Sequence, residues 1–205
     1  MAGNKLMIEG IDVYDAVRRG YSEFQNASGT DIENYFANID TDAVVGHSAN
    51  IKGILFEQQV VDALEQQGVA AQMFTATNHP ATDIYIDDGW LGTTEFQLKA
   101  TDSTSYIQAT LEQYDSIPII ATHEVAAQMQ NDLVIDAGIT NEALNHAVYE
   151  TLFAEQMELA STIAVTTSEL TQDTVNEGLA ELVTDMAFPI SPIGAILALL
   201  GLPFA

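Results

Sequence analysis

The 205-residue chain carries 30 acidic and only five basic side chains, a formal net charge of −25, although charged residues make up just 17% of it. That share lies below the usual quarter or so, so the imbalance comes mainly from missing lysine and arginine, and it weakens any nucleic-acid reading built on charge alone. A hydrophobic share of 47% marks a globular chain, not a disordered acidic one, and the absence of cysteine excludes disulfides and thiolate metal sites.

The first fifteen residues include Glu9, Asp12 and Asp15 and lack an apolar signal region, so a cytoplasmic location is the default expectation. Residues 1–45 read as an N-terminal helical arm. In it Ile11, Val13, Tyr14, Val17 and Tyr21 recur at roughly helical spacing beside Arg18 and Arg19, and Gly29-Thr-Asp31 reads as a turn or helix start. His47–Asn50 is a cap region for a helix running to Gln67 and stopped by Gly68. At about 100° per residue, Ile54, Phe56, Val60, Val61 and Leu64 share one arc of that helix. Gln58, Gln59, Asp62 and Gln66 lie opposite, and Leu55 breaks the pattern. Glu57 falls inside the apolar arc. A carboxylate there is costly without a cation or hydrogen-bond partner; the plainer alternative is that it sits near the edge of the face and reaches water.

Three strands are predicted next, at 70–75, 83–87 and 93–100, the last two joined by a turn around Asp88-Gly89. Ile84 and Ile86 alternate with Asp83, Tyr85 and Asp87. In the third strand Phe96, Leu98 and Ala100 share one face, and Glu95, Gln97 and Lys99 the other. The two polar faces can therefore meet in one patch. Asp102–Ser105 caps a helix carrying Tyr106, Ile107, Leu111 and Tyr114. A buried strand follows at Ile119–Ala121, then a short helix from Thr122 and a further strand at Leu133–Asp136. Residues 46–138 thus read as an α/β core with a mixed sheet. Residues 139–187 are helical in pattern, with Leu144, Val148, Leu152 and Leu159 on one face. Residues 188–205 form an apolar tail with Pro189, Pro192 and Pro203. Its uninterrupted run Ile193–Leu202 is shorter than the 20 or so residues that span a bilayer. The tail fits packing on the protein or a sister chain, as in a homo-oligomer, docking to a protein partner, or contact with a membrane.

Glu57 on the first core helix, Asp83 opening the second strand and Gln97-Leu98-Lys99 in the third resemble the restriction-endonuclease-like superfamily and its PD-(D/E)XK motif, in a QXK form. The resemblance covers residues 53–121, about a third of the chain, with thirteen residues between Asp83 and Gln97. Two departures stand out. Gln97 replaces the usual acid, and Pro80 precedes Asp83 by three positions, with Ala81 and Thr82 between.

The resemblance implies a nuclease-like core of helix, three-stranded meander, helix and strand. It implies Asp83 as the central ligand of a magnesium or manganese ion, with the Gln97 amide oxygen, the Leu98 carbonyl and Glu57 completing the set. Lys99 would orient the attacking water and offset charge on the phosphate. Magnesium suits oxygen ligands and acts as a Lewis acid that activates water. Gln97 removes one negative charge from the set, for which Glu95, two positions back on the same face, could compensate. The implied function is a metal-dependent DNA endonuclease. Two alternatives stand beside it: a catalytically inactive nuclease-fold module for protein binding or assembly, anchored by its tail, and an acidic mimic of DNA. Charge favours the alternatives; the placement of Lys99 favours the enzyme. Asp83 as a plain strand-end carboxylate and Lys99 as an edge lysine reaching water are the bland readings of the same residues.

Overall fold

In the computed structural model, which describes residues 8–75, 81–87 and 92–154, six helices surround a five-stranded mixed sheet. Helix α1 (Gly10–Gly20) opens where the Glu9 N–H donates to Asp12 Oδ2 at 2.8 Å. A 3₁₀ turn follows at Ser22–Phe24. Helix α2 (Gly29–Phe36) opens on a reciprocal cap between Ser28 and Asp31. Helix α3 (Thr41–Glu65) begins after Asp40, six residues before the cap region expected at His47. It ends at Glu65, two residues short of the expected Gln67, and a turn carries the chain to Gly68, whose φ of +79° suits a residue without a Cβ.

Strands β1 (Ala71–Met73), β2 (Ile84–Asp87) and β3 (Thr93–Lys99) form an antiparallel meander. Helix α4 (Thr104–Gln113) crosses over to β4 (Ile119–Ala121), and α5 (His123–Ala126) leads to β5 (Val134–Asp136). Strands β3, β4 and β5 run parallel, so the sheet order is β1-β2-β3-β4-β5. Helix α6 (Asn141–Leu152) returns to pack on α3 and α1. Element order and type follow the sequence expectation.

Helix α3 is central, covered by α1 and α6 on one side and by β1 and β3 on the other. That explains where the single apolar arc fails. Leu55 is fully buried and Gln59 is 3% exposed, because a helix covered on two sides needs two inward arcs. Val13, Ala16 and Val17 have no exposed surface, so α1 is part of the same core. Gly20 allows the close approach: a Cβ there would lie 2.4 Å from Ile54 Cδ1.

One sheet face sends Ile84, Ile86, Phe96, Leu98, Ile120 and Ile135 into the core built with α1, α3 and α6. The other places Ile119 and Ala121 against Ile107 and Leu111 of α4 and Val125 of α5. Tyr106 departs from the expected apolar face of α4 and is 51% exposed. Pro80, the Asp88-Gly89 turn, the chain beyond residue 154 with Leu159, and the tail at 188–205 lie outside the described residues. Among the described residues no helix is long and apolar enough to cross a membrane.

Candidate functional site

The group is built around the place where β2 parts from β3. Ile84 pairs with Phe96, and beyond it β2 has ended. Gln97 turns its N–H to Pro118 on the β4 side, so Leu98 turns its own toward β2. No β2 carbonyl meets it there. The Asp83 carboxylate takes that place, with Oδ2 accepting the Leu98 N–H at 2.7 Å. The Asp83 N–H still holds the Phe96 carbonyl at 2.9 Å. Asp83 therefore bridges the two strands at the gap through its side chain and its backbone. The Leu98 carbonyl lies on the same side of its strand as its N–H, so it borders the gap as well.

Ala81, two residues before Asp83, has φ +68°. A left-handed conformation costs an alanine about 1–2 kcal/mol, and it aims the chain into the gap. Thr82, 2% exposed, donates to Glu95 Oε2 at 2.9 Å. Glu95 is thus engaged two residues up the strand, beside Thr82.

Gln97 follows Phe96 and lies on the opposite sheet face, the one covered by α4. It is only 7% exposed, and its Oε1 is buried without a hydrogen-bond partner. Lys99 lies on that face too, its Nζ 5.9 Å from the ring centroid of Tyr106. Among the described residues no carboxylate pairs with Lys99 within 4.0 Å.

Glu57 comes from α3, on the other side of the sheet. Burial pushes its carboxyl up to about 7, and the nearby Asp83 carboxylate adds to the rise; Arg19 and Lys99 oppose it. Asp83, Lys99 and Arg19 therefore each lie near enough to Glu57 to shift its proton affinity. Arg19 is the member that the sequence reading missed. It comes from α1 and donates to the Phe74 carbonyl at the end of β1, and its Nε is buried without a partner. No local signal links positions 19 and 57; only the packing of α1 on α3 does.

By donor chemistry, the residues suit a hard divalent cation. An orphaned amide oxygen, two carboxylates uncompensated by a direct ion pair and a strand carbonyl are all oxygen donors, the set magnesium takes. Among the described residues no three His, Asp or Glu side chains form a ligand cluster.

A separate crevice of about 480 Å³, not foreseen from sequence, is lined by Asp102, Glu124, Asn141, Glu142, His146 and Tyr149. Its polar groups have structural work. Glu124 accepts the N–H groups of Asn141 and Glu142 at 2.8 and 3.1 Å, capping α6, and Lys52 donates to Asn141 Oδ1 at 2.7 Å. Nearby, His123 Nδ1 and Asp136 Oδ2 lie 2.7 Å apart and tie α5 to β5.

Compared with protein-family models, curated proteins and solved structures, the chain matches none.

Proposed function

We propose that the chain is a metal-dependent endonuclease that hydrolyses phosphodiester bonds in DNA, on a PD-(D/E)XK-type core in which Gln97 stands for the usual acid. The observation that carries this reading is the buried Gln97 Oε1, which has no hydrogen-bond partner and belongs to the residue next to Leu98, whose N–H Asp83 accepts. A buried polar atom without a partner calls for an explanation, and a cation held with Asp83, Glu57 and the Leu98 carbonyl supplies one.

When bound, magnesium or manganese would supply Lewis acidity to the phosphate and lower the pKa of water. The protein's own groups do the rest. Asp83, fixed by the Leu98 N–H, is a preorganised anionic ligand. Gln97 contributes an oxygen without adding a third negative charge to a site already burdened by Glu57 and Asp83. Lys99, held against Tyr106 and unpaired with a carboxylate among the described residues, offers its ammonium to the charge that develops on phosphate. Burial of Gln97 and partial burial of Glu57 reduce the solvation of the proposed ligand oxygens.

The net charge of −25 favours a second reading, in which the same fold is a non-catalytic module for protein binding or assembly, or an acidic DNA mimic. One experiment separates them. Calorimetric titration of Mg²⁺ and Mn²⁺ into the protein, followed by cleavage assays on supercoiled, linear and single-stranded DNA, should show one bound ion and metal-dependent cutting. Metal binding without cutting on any substrate leaves the non-catalytic module; no metal binding removes the enzyme reading.

A further inference from the structure

We infer that Tyr106 is a base-stacking residue and that the site takes DNA carrying an unpaired nucleotide in preference to intact duplex. The inference rests on the endonuclease reading above and names its substrate class.

Tyr106 stands in the first turn of α4, where Ser103 caps the helix by accepting the Tyr106 N–H at 3.3 Å, and the Tyr106 carbonyl accepts Thr110 Oγ1 at 2.9 Å. Ile107 and Leu111 carry the buried face of that helix, which turns Tyr106 outward. Half of it, 51%, is exposed. Lone exposed aromatics are ordinary. This one is distinguished by its neighbour: Lys99 Nζ lies 5.9 Å from the ring centroid. The ring thus lies beside Lys99, the side chain assigned above to the phosphate, and keeps about half its surface exposed.

Charge supplies the second argument. The described residues contain four lysine and arginine side chains. Arg18 is engaged by Asp15 and the Ala27 carbonyl, Lys52 by Asn141, and Arg19 by the Phe74 carbonyl. Lys99 remains to meet phosphate. Duplex affinity grows with the number of phosphates neutralised by basic side chains, and this chain has few to spend on it. Stacking on an aromatic ring contributes about 1–3 kcal/mol per base without any cation. A base already stacked within a duplex cannot use it, whereas an unpaired one can.

The test uses the full chain with Ca²⁺ in place of Mg²⁺. The probes are an oligonucleotide carrying 2-aminopurine, presented as a single strand and as a blunt duplex. The wild type should quench the single strand's fluorescence and bind it more tightly than the duplex. Tyr106→Phe should keep that affinity, and Tyr106→Ala and Tyr106→Leu should lose it by about 5- to 150-fold. Equal binding of the two probes by the wild type, or equal affinity of Tyr106→Ala and Tyr106→Phe, overturns the inference. Its failure is distinct from failure of the endonuclease reading. Single strands cut equally well by wild type and Tyr106→Ala in Mg²⁺ remove stacking alone. A wild type that stacks the probe and never cuts removes catalysis alone.

Discussion

Glu57 gives the sharpest test of the site, because its carboxyl is driven from an ordinary 4.5 up to about 7. The folded state then holds a proton that the unfolded chain has already released between those pH values. Where the folded state binds more protons, stability falls as pH rises. The contribution is therefore favourable below about pH 4.5, is lost progressively up to about pH 7, and stays lost above it. At 1.36 kcal/mol per pH unit, the ionised carboxylate burdens the fold by about 3 kcal/mol at pH 8, and most of that appears between pH 5 and pH 8. Glu57→Gln keeps the shape and cannot ionise. Urea denaturation of both proteins at the two pH values should find the variant more stable by about 2–3 kcal/mol extra at pH 8 than at pH 5. At pH 8, Mg²⁺ should raise the wild-type midpoint and leave the variant's much less changed. A stability difference that is the same at both pH values refutes the assignment of a buried, unpaired carboxylate.

The remaining expectations concern its neighbours. Asp83→Ala leaves the Leu98 N–H without its acceptor and should cost about 1–3 kcal/mol, a fall of several degrees in Tm. Asp83→Asn keeps an acceptor oxygen, so it should fold nearly as well while losing metal binding in calorimetry. Lys99→Ala should abolish turnover with little change in Tm, since its part is charge stabilisation in the transition state. Gln97→Glu puts a carboxylate at a buried position; it should lower metal-free stability by about 1–3 kcal/mol and tighten Mg²⁺ binding several-fold by titration. The wild-type denaturation midpoint should rise with NaCl, as screening shortens from about 30 Å at 0.01 M to about 3 Å at 1 M.

The strands were legible because period-2 alternation is a local signal. Ile84 with Ile86 and Phe96 with Leu98 mark one buried face whatever the rest of the chain does, and all four are buried. Helix α3 was legible in its C-terminal half and misread at its start. Thr41–Gly46 holds apolar Ala43, Val44 and Val45 but ends in a glycine, and His47–Asn50 imitates a cap, so the start after Asp40 is masked. The burial of Leu55 and Gln59 was hidden for a different reason: it depends on α1 and α6 lying across α3, which periodicity within one helix does not encode. The same holds for the site. Residue types at positions 57, 83, 97 and 99 could be read off. The gap that places Asp83 on the Leu98 N–H, and the arrival of Arg19, follow only from where strands part and helices cross.

Three local rules are broken at this one place. Glu57 is a partly buried carboxylate with another carboxylate near it, Gln97 Oε1 is buried without a partner, and Ala81 holds a left-handed backbone. Each lowers the stability of the metal-free fold, and each could be relieved by a common substitution. Real proteins break local rules chiefly at functional sites. The burial also bears on which function. A DNA mimic works through carboxylates displayed to a partner, so its strained acids belong on the surface, and burying Glu57 would serve it no purpose. A metal-binding group has the opposite need: its ligands must be held partly out of water, so that a cation finds them unsatisfied. The acidic exterior can serve either reading, but a partly buried Glu57 and the unpartnered Gln97 amide oxygen support the cation proposed above over a displayed acidic surface.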